Sequence, residues 1–308
     1  MLDVSVIIPT HNPNPERLHR TLLGLKQQTF HPFRWDVLIV DNASATPLGR
    51  PDFTRSGLDN VRVLREPQLG LTHARRSGFT ASHGRLLVLA DDDNVLAPDY
   101  LENVVRLFDA NPKIGALGGR SLPEFEQTPP AWMREFDGLI ACRDLGPAAK
   151  ISNGLKPAGA IRHVYPEFAP IGAGMALRRD AIKPWLHGST AAKLSDRRGT
   201  ELTSGGDNDI VLTLMENGWE VGYFPELSLV HLIPAGRIEP DYLARLNRGI
   251  AKSWMEVLSL HDANPWPRIA AWTIPVRQLK SWFSNRAWSG PSNYIRWQGA
   301  CGHFEGRR

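Results

Sequence analysis

Apolar and polar positions follow two different rhythms along the first part of this chain. Short, largely apolar runs stand at Val4 to Pro9, at Asp36 to Asp41 with an acid at each end, at Val61 to Leu64, at Leu86 to Ala90 and at Ile114 to Leu117. Runs this short, without alternation, read as strands buried on both faces. Between them the apolar residues recur at helical spacing. Leu18, Leu22 and Leu25 give an amphipathic helix ending near Gln28, a second helix opens at Gly70 and ends near Gly84, and Pro98 to Ala110 gives a third. Strands alternating with helices up to about residue 120 predict an α/β fold with a parallel, doubly wound sheet.

Beyond residue 120 the rhythm weakens. Leu122 to Arg134 and Lys150 to Gly159 read as irregular, with Trp132 exposed, and long loops of this kind in a compact domain are functional lids or disorder. Gly172 to Leu177 reads as a close-packed strand, and Glu220 to Phe224 and Ser228 to His231 as two short ones. A helix runs from Asp207, a suitable cap, to Asn217-Gly218. After Pro234 the character changes. Asp241 to Leu260 is helical, with Tyr242, Leu246, Ile250, Trp254 and Val257 on one stripe. Then Trp266, Trp272, Trp282, Trp288 and Trp297 interleave with Arg268, Arg277, Lys280, Arg286 and Arg296, while Pro265, Pro267 and Pro275 rule out one long helix. The division predicted is a catalytic domain over residues 1–235 and a helical, Trp- and Arg-rich extension over 236–308.

Composition narrows the class. With 42% hydrophobic and 22% charged residues, the 308-residue chain can bury a sizeable core. A net charge of +4 suits anionic substrates or an anionic membrane surface, and no basic run or motif points to nucleic acid. Cys142 and Cys301 form no metal or redox spacing, Val4 to Pro9 is too short for a signal peptide, and no apolar run reaches membrane-spanning length. The expectation is a cytoplasmic protein, placed at the inner face of the cell membrane if the tail meets lipid.

The most charged feature is Asp91-Asp92-Asp93, directly after the apolar run ending at Ala90. Ligands of open α/β sheets sit beyond the carboxyl ends of strands. Each carboxylate pair at ~4 Å repels by about 4 kcal/mol at an effective dielectric near 20. Either the acids splay into water or a cation sits among them, and oxygen ligands of this kind suit Mg²⁺ or Mn²⁺. A dinucleotide-binding fold is excluded, because Pro9-Thr10-His11-Asn12 stands where its glycine loop belongs, and Gly172-Ala173-Gly174 comes late without a third glycine.

Taken in order, Val6 to Asn12, Val40-Asp41-Asn42-Ala43-Ser44, Gly70 with Ala74-Arg75, Asp91 to Asp93, Gly172 to Ala176 with Arg178-Arg179, and Gly206-Asp207-Asn208-Asp209 resemble the motif series of family-2 glycosyltransferases. The resemblance covers roughly residues 4 to 235. It implies a GT-A-type (nucleotide-diphospho-sugar transferase) fold, a doubly wound mixed sheet, and inverting transfer of one sugar. The donor implied is a nucleotide-sugar, a UDP-sugar foremost, and the acceptor a saccharide or lipid-linked saccharide in bacterial surface polysaccharide synthesis. It assigns Pro9, Thr10, His11, Asn12, Asp41, Ser44, Gly70, Arg75, Asp91 and Asp92 to the nucleotide, with Asp41 accepting the base N–H. His11 stands where an aromatic residue is usual. Asp93, Asp91 and His231 are assigned to a Mn²⁺ or Mg²⁺ ion, and Asp207 to the general base. Gly206 replaces the glutamate usual before that aspartate, and Asp209 competes for its role.

Asn293-Tyr294-Ile295-Arg296-Trp297 only echoes the Q-x-x-R-W of processive synthases. Two other readings remain at this level: a sugar-1-phosphate nucleotidyltransferase, which lacks its basic glycine loop here, and a catalytically inactive nucleotide-sugar-binding relative. The tail either packs on the protein or on a second subunit of a homodimer, or makes peripheral membrane contact.

Overall fold

The computed structural model describes residues 2–49, 53–152, 164–188 and 202–308. Its strands are β1 (Val4–Thr10), β2 (Trp35–Asn42), β3 (Val61–Glu66), β4 (Leu86–Leu89), β5 (Asn94–Leu96), β6 (Ile114–Phe125), β7 (Lys150–Ser152), β8 (Ala176–Arg178) and β9 (Glu220–Ile233). They form one sheet in the order β3-β2-β1-β4-β8-β6-β9-β5, with β7 on β9. The half from β3 to β4 is parallel. Antiparallel β8 then separates β4 from β6, and β5 and β7 run antiparallel to β9. The sheet is therefore mixed, and the expectation from alternation alone holds for its first half.

Helices cover both faces. Val4, Val6 and Ile8 of β1 point to one side, where they meet α1 (Pro15–Lys26) and α3 (Tyr100–Ala110) through Leu18, Leu22, Leu25, Val104 and Phe108. Ile7 points to the other, toward α2 (Leu71–Ala81), α4 (Arg179–His187) and α5 (Gly206–Glu216) through Phe79, Trp185, Ile210 and Leu214. The two-residue period of β1 thus feeds two cores, which is why its sequence reads as continuously apolar.

Several boundaries differ from the sequence reading. Residues 220–233 form one strand rather than two, and β6 continues through Phe125 into the stretch expected to be irregular. The two long strands pair in parallel with a register shift between Gly118 and Arg120. There a Cβ on Gly119 would lie 1.8 Å from the Leu227 carbonyl oxygen, so glycine is what lets the backbones touch. Strand β8 begins at Ala176, later than expected. Ala131–Ile140 is a 3-10 helix, and Trp132 within it is half-buried and packs edge-on against Phe136, not exposed.

The tail consists of α6 (Pro240–Leu260), α7 (Ile274–Ser284) and α8 (Pro291–Glu305). Pro240, Pro275 and Pro291 each stand in a first turn, where their missing N–H costs nothing. Helix α8 lies against α6 closely enough that a Cβ on Gly302 would meet the Arg248 carbonyl oxygen at 2.0 Å. A third core joins Met133, Phe136 and Ile140 to Leu243, Leu246 and Ile295.

Candidate active site

A cavity of about 520 Å³ opens at the carboxyl ends of β1, β2 and β4. Its wall includes Pro9, Thr10, His11, Arg75, Asp91, Asp92, Asp93, Asp207 and His231, so nine of the residues singled out in the sequence meet in one place. Strand pairing does much of this assembly. β5 pairs with β9 so that Asn94 lies opposite His231, and the Leu232 N–H donates to the Asp93 carbonyl at 2.9 Å. Two segments more than a hundred residues apart are thereby fixed side by side.

The acids around Asp93 differ sharply in environment. Asp93 is buried. Its Oδ1 lies 3.3 Å from His231 Nε2 and accepts from Asn94 Nδ2, and its Oδ2 pairs with Arg237 Nη1 at 3.2 Å. Burial opposes its ionisation, but the His231 hydrogen bond and the charges of His231 and Arg237 outweigh burial and hold the carboxyl down at about 2. Burial and then the Asp93 charge push Asp92 up to about 7, against a hydrogen bond from Thr10 Oγ1. Among the described residues no three His, Cys, Asp or Glu side chains converge tightly enough to hold a metal ion by themselves. The donor set of Asp91, Asp93 and His231 nonetheless suits a hard divalent cation, which commonly completes its shell with phosphate oxygens.

Asp207 enters from helix α5. It does not cap that helix: Gly205 holds the cap position, and Asp207 Oδ2 accepts the Gly172 N–H at 2.9 Å. A Cβ on Gly172 would come 2.6 Å from Arg75 Nη2 and 3.6 Å from Asp207 Oδ2, so this bare backbone stands between the guanidinium and the carboxylate. The first turn of α5 also presents its N–H dipoles to the Asp207 charge. Asp209, the competing base, is fully buried away from the cavity wall. It accepts from Trp185 Nε1 at 2.6 Å and from His261 Nε2 at 2.8 Å. His261 also donates to Glu216 at 2.8 Å. Burial would lower its pKa, but the two acids outweigh burial and raise it to about 9, so it is protonated at neutral pH.

Four assigned residues do not reach the wall. Asp41 is buried beneath it, with the N–H groups of Ser44 and Leu48 at 3.1 and 3.0 Å and Arg65 at 2.5 Å filling its oxygens. Burial opposes its ionisation, yet these partners hold it below the usual carboxylate range. It organises the loop after β2. Ser44 accepts the Asn12 N–H, and Asn12 Oδ1 accepts the Ala45 N–H, so both clamp the two loops together. The Gly70 N–H donates to Asn42 Oδ1.

Other wall residues carried no site assignment in the sequence: Asn42, Gly138 to Ala141, Arg237, Tyr242, Leu246 and Ile250. The stripe on α6 was visible as a pattern, but its facing was not. The cavity therefore crosses the 235/236 boundary, and of the segment read as irregular from Lys150 to Gly159, residues 153–159 lie outside the described residues.

A family model for glycosyl transferase family 2 matches residues 5–186, more than half of the chain. The chain belongs to glycosyl transferase family 2. This glycosyltransferase is 22% identical over 289 residues, 91% of its length and 87% of the other's, to the glucosyl-dolichyl phosphate glucuronosyltransferase of Haloferax volcanii. Over 133 residues, 40% of each chain, it is 29% identical to the poly(ribitol-phosphate) beta-N-acetylglucosaminyltransferase TarP of Staphylococcus aureus. The crystal structure of S. aureus TarS 1-349 superposes over 98% of this chain and 89% of that one, with a TM-score of 0.53 and 13% identity, a likeness of fold consistent with GT-A. The family match sets aside a nucleotidyltransferase. No helix among the described residues is long and apolar enough to cross a membrane.

Proposed function

We propose that this glycosyltransferase moves one sugar, with inversion, from a UDP-sugar to a hydroxyl of a saccharide or lipid-linked saccharide, and that Asp207 is the base. The observation that carries the reading is one cavity walled by Asp91 to Asp93 and also by Asp207. Asp207 takes the acceptor proton as that oxygen bonds to the anomeric carbon. The anomeric C–O bond breaks on the opposite face, and its electron pair leaves with the nucleoside diphosphate. The Gly172 N–H fixes the carboxylate's rotamer and leaves its other oxygen for the acceptor.

Thr10, His11 and Asn42 border the nucleoside end, and Arg75 and Arg237 bring positive charge to the diphosphate. Asp91, Asp93 and His231 would hold a Mn²⁺ or Mg²⁺ ion, which supplies further charge to the leaving group when bound. The acceptor reading is supported by the relatives, whose names carry a glucosyl-dolichyl phosphate and a poly(ribitol-phosphate). The place of this transfer in surface-polysaccharide synthesis rests on the family resemblance of the motifs.

The test is Asp207→Asn, assayed for UDP binding by calorimetry and for donor turnover. Binding persists, and turnover falls by ~10²-fold or more, the usual worth of a general base. Near-normal turnover ends the assignment.

A further inference from the structure

The tail carries two kinds of aromatic residue. Trp282 and Trp297 stack edge to face at 4.6 Å, and Trp297 Nε1 donates to the Gln278 carbonyl at 3.0 Å, so these rings bind α7 to α8. Trp272, in the 3-10 turn just before α7, and Val276, Leu279 and Phe283 on α7 itself form a second row, spaced by four, three and four residues. They are 79%, 66%, 60% and 60% exposed, and Trp288 extends the row at 59%. An apolar row this long on one helix face is not a scatter of single surface residues.

Its charge surroundings say what covers it. From Ala263 to Phe304 the sequence contains no Asp or Glu, while Arg268, Arg277, Lys280 and Arg286 are exposed on the same stretch of chain. None of these four forms an ion pair among the described residues. A second copy of this chain would set the cations of one patch against those of the other. A surface that is apolar at its centre and anionic around it has the matching chemistry.

We propose that this face of α7, extended by Trp272 and Trp288, lies in the plane of an anionic lipid surface. The aromatic rings sit at headgroup level, and the flanking cations meet lipid phosphates. Helix α7 has eleven residues, enough to lie on a bilayer and too few to span one. The contact reaches the cavity through packed structure. Helix α8 rests on α6, whose Tyr242, Leu246 and Ile250 line the wall, and Arg296 of α8 pairs with Glu135 of the 3-10 helix ending at Ile140. The proposal stands whether or not Asp207 is the base.

The experiment is co-sedimentation of the full chain with vesicles of phosphatidylcholine alone or of phosphatidylcholine with phosphatidylglycerol. Binding to the anionic vesicles is at least tenfold tighter and weakens with salt. Leu279→Ser/Phe283→Ser lowers it at least tenfold, and Arg277→Glu/Lys280→Glu removes the preference for anionic lipid. The melting temperature is unchanged, because all four side chains are exposed. Equal, weak binding to both vesicles overturns the proposal, as does binding indifferent to these substitutions. Sedimentation velocity showing a dimer that Leu279→Ser/Phe283→Ser dissociates assigns the row to a second copy instead.

Discussion

Two clusters in this molecule are built from the same parts. Asp91-Asp92-Asp93 meets His231 and Arg237, and Asp207-Asn208-Asp209 places its second acid against His261 and Trp185. In the first, three carboxylates crowd one arginine and one histidine at a cavity wall, and burial, with the neighbouring Asp93 charge, pushes Asp92 up to about 7. In the second, His261 sits between Asp209 and Glu216; His261 and Asp209 are sealed inside, and Glu216 reaches the surface. An unbalanced cluster open to a cavity can exchange partners with a ligand. One whose acids share a buried imidazolium holds helices together. Asp207 and Asp209, two residues apart, fall on either side of that line.

The largest expected effect separates these two aspartates directly. Asp207→Asn costs turnover and leaves stability alone, whereas Asp209→Asn lowers the urea midpoint by an amount equivalent to several kcal/mol, since it removes the partner of a buried charge. If Asp209→Asn unfolds normally but is inactive, the comparison is reversed.

Next comes pH. The folded-state pKa of His261 is about 9, above its unfolded value near 6.5. Its contribution, on the order of 3 kcal/mol, is therefore complete below pH 6.5 and is lost as pH rises toward 9. Denaturant titrations of the native chain decline across that window, and those of His261→Gln start lower and lie flatter. Parallel curves for the two proteins contradict the cluster's role.

In the open cluster, Arg237→Lys keeps a charge beside Asp93 but loses the planar fork. Affinity for UDP falls about tenfold by calorimetry, the size of one charge-assisted hydrogen bond. Unchanged affinity removes Arg237 from the diphosphate. The smallest effect belongs to the apolar wall. Ile250→Ala raises the acceptor KM by about fivefold, near 1 kcal/mol of lost contact, with kcat unchanged.

The fate of the individual acids shows what could be read early. Asp91 to Asp93 were visible because they follow a buried strand, and Asp207 because it opens a helix after glycines. Asp41 looked equivalent, an acid at a strand's end, yet it is buried beneath the wall, where Arg65 from the neighbouring strand and two loop N–H groups bind it. Arg237 carried no local signal. It matters only because β9 delivers the loop after it to Asp93. The stripe Tyr242, Leu246 and Ile250 was plain as a helical period, but periodicity reports that a face is buried and not what it is buried against.

By itself, then, the sequence determined the alternating strands and helices, the two cores fed by β1, and the order of the site motifs, because these depend on residue type and short-range spacing. The tertiary structure decided which acid faces the cavity and which is sealed, that the tail supplies a wall of the site, and which tryptophans stay outside. Those outcomes depend on pairings between residues far apart in the chain, such as Asn94 with His231 and Asp209 with His261, and no local pattern of side chains encodes them.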